Sequence, residues 1–409
     1  MRRTLALTLL LWALASTATA GDWPQILGPN RTGIAAGDEK LLPEWRRDPA
    51  IVWKRPVGTG YAGPVVAGER LILFHRINTD EVVECLNART GQPLWKQSYG
   101  TTFRPQVGGG DGPLCTPTIV GDKVVTFGAQ GVLSCYDLAR GTPLWQRETH
   151  REFAAQEGYF GAGSTPIVVE EMVVVNVGGT RKNSGLVGFS LATGETKWQQ
   201  TTEQGSYSAP TVVSLEGSPR VIAVTRLKCV GLDPATGAQW FDFRFGARGP
   251  TVNGASPILL PSGELFVTSS YGVGSTLGHL SPLGCEPVYS GDEILATQYA
   301  TPIAWQKVLF AIDGRDDIPP SDLKCVDPIK RKTLWSTQGF GYGTLLLADN
   351  KLLALKTDGE LVMVEANAER YLELGRTRLF DTTTRALPAL SRGLLFARDE
   401  QTLKCVNLK

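Results

Sequence analysis

Apolar and polar positions alternate in short runs along most of the chain, and Gly, Pro or Asx residues cut the runs every few positions. Residues 115–148 read CTPTIVGD, KVVTFGA, GVLSCYDL and TPLWQRE in succession. Period-two runs of this length, bounded by turn residues, predict four β-strands rather than a helix. The same block recurs. A small residue, Pro and an apolar run mark Gly63-Pro64, Thr116-Pro117, Thr165-Pro166, Ala209-Pro210, Ser256-Pro257, Thr301-Pro302 and Leu387-Pro388, with Gly343-Thr344 in the remaining slot. Eight marks spaced about 46 residues apart fall in the range of propeller blades. The expected fold is all-β, an eight-bladed propeller of four-stranded antiparallel blades.

The turn between the third and fourth strands repeats most faithfully: CLNARTGQPLW at 85–95, CYDLARGTPLW at 135–145, GFSLATGETKW at 188–198 and GLDPATGAQW at 231–240. Asn87, Asp137, Ser190 and Asp233 offer a short oxygen side chain to the backbone ahead of them. Gly91, Gly141, Gly194 and Gly237 follow four residues later, where a bulged hairpin needs positive φ. Trp95, Trp145, Trp198 and Trp335 lie eight residues after the Asx/Ser position, or after its equivalent Asp327; Trp240 comes one step early. An indole laid on the neighbouring blade's turn glycine would bury ~150–250 Å². These residues, with Trp53, are therefore read as blade-docking.

Two blades are degenerate. In blade five (254–292) Tyr289 takes the Trp slot and Cys285 the turn-glycine slot. Blade seven (343–380) has neither Trp nor glycine there. The last period stops after KCVNL without a fourth strand, whereas IVWKRPV at 51–57 is a Trp strand with nothing before it. The N-terminal strand is expected to complete the last blade, leaving no open sheet edge. Residues 21–50 form a leader with Trp23 and Trp45 amid Gly and Pro, expected to pack along the outside without regular structure. Residues 51–409 form the propeller.

Composition narrows the function classes. The 409 residues carry 41 Lys+Arg against 40 Asp+Glu, so charge gives no case for nucleic acid or an anionic membrane. Arg2 and Arg3, the apolar run Leu5–Ala15 and Ala18-Thr19-Ala20 read as a secretory signal, residues 1–20, cleaved between Ala20 and Gly21. The apolar run is too short to span a bilayer. A periplasmic or extracellular protein without a membrane span, and monomeric, is expected. Seven cysteines remain, an odd number; Cys85, Cys135, Cys325 and Cys405 share one phase of the repeat, which suits small buried side chains. No C-x-x-C pair offers a metal site, and no metal is expected.

The hairpin motif and the leader DWPQILGPNRTG resemble the pyrroloquinoline quinone (PQQ) repeat propellers over residues 51–409. The resemblance implies two branches. Quinoprotein dehydrogenases oxidise alcohols or sugars with PQQ and calcium, using adjacent cysteines, a Trp floor and Glu, Asn and Asp. Noncatalytic scaffolds are similar to the lipoprotein that assists outer-membrane β-barrel assembly. No two cysteines are adjacent here and no calcium set is recognisable, so the expectation is a noncatalytic scaffold without cofactor, with the PQQ oxidoreductase as the alternative.

Topology places the entry to each first strand and the turn between strands two and three on one rim, opposite the Trp hairpins. Tyr61, Tyr207, Tyr299, Tyr342 and Arg385 then share that rim with His75, Arg76, Arg226, Tyr271, Asp313, Arg315 and Asp316, and with Asp317. The Asp313–Asp317 loop is expected to be salt-bridged through Arg315. The long connections at 101–112 and 150–163 overhang the same rim. Tyr and Arg favour binding hot spots, so a protein or glycan partner is expected on this face.

Overall fold

A computed structural model describes residues 21–181 and 183–409; the signal region 1–20 lies outside the described residues. The strands form eight four-stranded antiparallel sheets arranged as blades. Each small-residue–Pro mark immediately precedes an innermost strand, such as Val65–Ala67, Thr118–Val120 and Ile167–Val169. The marks also tie neighbouring blades near the axis: Gly63 N–H donates to Thr116 Oγ1 (3.2 Å), Thr116 N–H to Thr165 Oγ1 (3.1 Å), and Ser256 N–H to Thr301 Oγ1 (3.0 Å). Blade eight comprises Ala389–Ser391, Leu394–Arg398 and Thr402–Asn407, closed on its outer edge by Ala50–Pro56 from the other end of the chain. The expected closure is the one observed.

The tryptophans join blade to blade as the spacing predicts. A Cβ built on Gly91 would stand 2.8 Å from the Trp53 indole, and one on Gly141 would stand 2.5 Å from Trp95; Gly194 and Gly237 meet Trp145 and Trp198 in the same way. All four glycines have φ between +70° and +73°, a conformation that costs other residues energy. Each indole N–H also donates across the junction to the carbonyl that follows the Asx/Ser position. Trp53 bonds Ala88 (3.0 Å), Trp95 Leu138 (3.0 Å), Trp145 Leu191 (2.9 Å) and Trp198 Pro234 (2.9 Å). Tyr289 performs the same task for blade five, its hydroxyl donating to Pro328 O at 2.8 Å. Trp335 reaches Asn367 O in blade seven, where no glycine underlies it.

Two details differ from the sequence reading. The strand register puts Phe241, not Trp240, opposite Gly231 in the slot that Trp95 occupies opposite Cys85. Trp240 still makes the junction bond of the other tryptophans, donating to Pro282 O, the carbonyl that follows Ser281, at 3.2 Å. In blade five the hairpin is a two-residue turn, Pro282-Leu283, between Gly274–Ser281 and Gly284–Gly291, so Cys285 lies in a strand. The seven cysteines are free. Cys85, Cys135, Cys325 and Cys405 each pair across the ladder with a slot tryptophan, and burial pushes their thiols up to about 12. They are packing residues.

Only the second half of the leader lies along the outside. The N-terminal half enters the axis from the hairpin face and touches the inner strands of seven blades. Trp23 pairs with Val66, Pro24 O accepts from Ile119 N–H, Gly33 packs on Ile303, Ala35 N–H donates to Leu347 O, and Ser391 Oγ bonds Gly21 O. Arg31 is fully buried and donates to Pro166 O and Pro210 O of blades three and four. Inner strands present unpaired carbonyls to the axis, and a central channel must be filled by something. Gly, Pro and one Arg with five donors meet that need better than an outer groove would use them.

The second half of the leader repairs the weak blade. Gly375 occupies the Trp slot of blade seven, opposite Met363. The Trp45 ring lies over it: a Cβ on Gly375 would stand 2.7 Å from Trp45 Cβ. Leu408, which follows Asn407 as Ala88 follows Asn87, would accept the indole bond at this junction, but its carbonyl takes Leu42 N–H at 2.9 Å instead. Trp45 Nε1 is accordingly buried without a partner. A segment distant in the repeat thus supplies both ring and hydrogen bond at the one junction whose fourth strand lacks an aromatic.

Candidate functional site

The rim opposite the hairpins carries two groups of side chains. One spans blades five to one and centres on Asp316. Arg385 Nε donates to Asp316 Oδ2 at 2.9 Å, Tyr299 Oη to the same oxygen at 3.1 Å, and Thr357 Oγ1 to Asp316 Oδ1 at 2.9 Å. Arg385 also lies 5.5 Å over the Tyr61 ring, whose hydroxyl donates to Glu400 at 2.9 Å. One carboxylate therefore gathers residues from blades six, seven and eight. Desolvation opposes the charge on Arg385, but Tyr299, Asp316 and Tyr61 together outweigh it and raise the guanidinium above its ordinary range.

Beside it, Arg315 stacks 4.3 Å over Tyr271 and pairs with Asp317 through Nε at 2.9 Å. Gln298 Nε2 donates to Tyr271 Oη at 2.8 Å. Tyr271 has φ of +63°, a conformation a bulky side chain adopts at a cost of ~1–3 kcal/mol. The turn holds an aromatic side chain where glycine would be relaxed, which points to a role for the ring. Asp313 pairs with Lys324 and accepts Ala296 N–H at 2.7 Å. Arg315 pairs with Asp317 only, where a loop bridged through Arg315 was expected; Asp313 is paired with Lys324 and Asp316 with Arg385.

Three rim candidates lie beneath the surface. Tyr342 is buried and its hydroxyl accepts from Tyr299 N–H (2.7 Å) and Ala300 N–H (2.9 Å). Arg76 is buried and holds the first long connection through Phe103 O (2.8 Å) and Asp111 O (2.9 Å). His75 accepts Gly58 N–H on Nδ1 at 2.9 Å and exposes almost nothing. These three position backbone and do not face solvent.

The second group surrounds a cavity of about 580 Å³ under the two long connections, between blades three, four and five. Tyr207 and Arg226 line it, as do His150, Asn176, Gln204 and Arg248, which the sequence reading passed over. They share no motif: Asn176 lies within a strand, His150 in a short helix, and Gln204 and Arg248 in connections. The connection at 150–163 opens with a one-turn helix, Thr149–Phe153, not foreseen from the Gly-rich pattern. Gln106 N–H donates to Tyr159 O at 2.9 Å, so the two connections brace each other. Tyr207 Oη accepts Phe160 N–H at 2.9 Å and anchors the roof; burial pushes its hydroxyl up to about 12.

Neither group fits a calcium-bound quinone. No tryptophan and no cysteine line the cavity, and its one lining carboxylate is Glu157. Among the described residues no cluster of three or more His, Cys, Asp or Glu side chains could hold a metal ion, and no helix is long and apolar enough to cross a membrane.

Solved structures share the fold. Quinohemoprotein alcohol dehydrogenase from Comamonas testosteroni superposes with a TM-score of 0.70 at 14% identity, covering 96% of this chain and 81% of that one. BamB from Moraxella catarrhalis gives 0.62 at 15%, covering 89% and 98%. The computationally designed Ika8 protein gives 0.55 at 12%, covering 90% and 99%. At these identities the likeness establishes architecture alone. No curated protein sequence matches the chain. Residues 79–371 match the family model described as outer membrane protein assembly factor BamB, and because that match spans most of the propeller, the chain belongs to this family.

Proposed function

We propose that the chain is exported by its N-terminal signal, cleaved between Ala20 and Gly21, and works in the cell envelope as a noncatalytic scaffold. Its partner is a protein of outer-membrane β-barrel assembly, the activity named for the family it belongs to. The partner is held on the rim opposite the tryptophan hairpins.

The observation that carries this reading is the asymmetry of the two faces. On the hairpin face the leader fills the axis with backbone hydrogen bonds and a buried Arg31. The opposite rim presents Arg315 on Tyr271 and Arg385 on Tyr61, residue types that dominate binding hot spots, with a strained turn at Tyr271. The quinone alternative lacks its donor set, as described above.

Complementation tests the reading. In a strain lacking the gene, wild type is expected to restore the level of folded outer-membrane β-barrels, measured by heat-modifiable mobility. A Tyr271→Gly, Arg315→Ala double variant is expected to lose most of that activity. Because Gly relaxes the +63° turn, the variant should remain folded, with ~1 kcal/mol recovered at that residue. A hairpin-face control, Leu283→Ser, should complement fully. Full complementation by the double variant would remove the rim from the function. Dye-linked oxidation of an alcohol or aldose after addition of PQQ and calcium would overturn the noncatalytic reading.

A further inference from the structure

We propose that the cavity beneath the two long connections is a binding site for an acidic saccharide, an oligosaccharide bearing uronic carboxylates. This does not depend on the scaffold reading, since the cavity is separate from the Tyr271–Arg315 and Asp316–Arg385 groups.

The cavity has the volume of a small-ligand site: about 580 Å³, against roughly 300–1,000 Å³ for such pockets. It is built on rigid parts. Asn176 stands on the strand Met172–Gly179, and Arg226 lies two residues beyond the end of Ser218–Val224. The roof is pinned at both ends through Tyr207 and Gln106.

Two buried polar atoms on its wall have no partner among the described residues. Asn176 is 4% exposed and its Oδ1 accepts nothing; His150 is 9% exposed and its Nδ1 bonds nothing. A buried, unsatisfied polar atom costs roughly 1–3 kcal/mol, and both residues line the cavity. Both atoms are closed to solvent in this structure, so a ligand that donates to Asn176 Oδ1 or bonds His150 Nδ1 does so with a small rearrangement of the lining side chains, and then removes that cost.

The remaining lining sets the chemical class. Gln106, Gln156 and Gln204 join Asn176, and every side-chain amide both donates and accepts. Hydroxyl groups do the same, whereas an apolar ligand would leave the amides unpaired. Tyr159 and Tyr207 provide ring surface for the C–H faces of a sugar. Charge then selects an anion. Arg226 donates to neutral oxygens only, Thr251 Oγ1 at 2.8 Å and Gly249 O. Arg248 makes no ion pair among the described residues. Against these two guanidiniums stands Glu157, held by Gln130 Nε2 at 2.8 Å. A planar carboxylate matches a guanidinium fork in geometry and sign.

Glycoside hydrolysis ordinarily takes two carboxyl groups flanking the bond, and the cavity lining contributes only Glu157.

Calorimetric titration of the chain from Gly21 to Lys409 tests this. The probes are oligogalacturonate, oligomannuronate and oligoglucuronate of four residues, with cellotetraose and PQQ as comparators. At least one oligouronate is expected to bind more than about tenfold tighter than cellotetraose, the difference of one charge-assisted pair. Arg248→Gln is expected to remove most of that preference. Asn176→Leu should weaken all saccharides; should it unfold, Gln204→Leu at the same wall serves instead. No heat from any oligouronate, equal binding of cellotetraose, an unchanged preference in Arg248→Gln, or displacement of bound uronate by equimolar PQQ would each overturn the assignment.

Discussion

Trp45→Ala is expected to destabilise the propeller by about 2–3 kcal/mol, although Trp45 lies outside the repeat. Large aromatic truncations in packed sites cost ~3–5 kcal/mol, and Trp45 is half-buried, which puts it at or below the lower part of that range. The loss should concentrate at the junction of blades seven and eight, where Gly375 leaves the slot empty and Leu42 bonds Leu408 O. Urea unfolding measures the total, and limited proteolysis locates it: cleavage after residues 36–49 should rise first. The second half of the experiment carries the argument. Gly375→Trp in the wild-type background should also destabilise, because its Cβ would stand 2.7 Å from Trp45 Cβ. Combined with Trp45→Gly, which removes the clashing Cβ as well as the ring, it should recover part of the loss, since the new indole then occupies the slot its counterparts fill in other blades. The two substitutions therefore couple with opposite sign to their separate effects. Simple additivity would mean that Trp45 does not stand in for a missing blade residue.

Acidification is expected to cost the fold about 4 kcal/mol between pH 7.5 and pH 5, through two buried histidines. Burial holds His75 down to about 3, helped by the charges of Arg398, Arg55 and Lys96. Glu84 Oε2, 3.7 Å from Nε2, pulls the other way and does not reverse it. Gly58 N–H points at Nδ1, so a proton there would meet a donor. His150, edge-on to Phe127 and pressed against Gly131, is held down to about 4 by burial. Both folded pKa values lie below the unfolded value near 6.5. The unfolded chain then binds more protons, so stability is complete above about pH 6.5 and declines as pH falls toward 4 and 3. At pH 5 each group contributes a loss of ~2 kcal/mol. Urea midpoints across this range should shift accordingly, and His75→Gln or His150→Gln should each remove about half of the slope. A midpoint flat from pH 7.5 to 5 would mean that neither imidazole is buried in its neutral form.

The repeat was legible because one structural unit is written eight times. The blade number, the Trp-on-glycine docking at Gly91, Gly141, Gly194 and Gly237, and the closure by residues 51–57 all follow from phase along the chain. Where the phase slips by one residue the two parts of the role divide: Phe241 keeps the register of the slot while Trp240 keeps the bond to the next blade. The candidate site was legible in part. Strand-entry and strand-turn positions fall on one rim by parity, which put Tyr61, Tyr299, Asp316 and Arg385 together before any distance was known. Parity does not give depth, so His75, Arg76 and Tyr342 were placed on a surface that they support from below. The cavity was missed because Asn176 lies on a strand and Gln204 and Arg248 on two separate connections, with no common motif.

Local pattern alone determined the wheel of strands and its hand-over from blade to blade, because alternation, turn glycines and indole spacing act between residues close in sequence or one period apart. Only the tertiary structure decided where the leader goes and what the two faces offer. Residues 21–50 obey no period, and their position is set by unsatisfied carbonyls at the axis and by the empty slot over Gly375. Those demands arise only once all eight blades have closed around them.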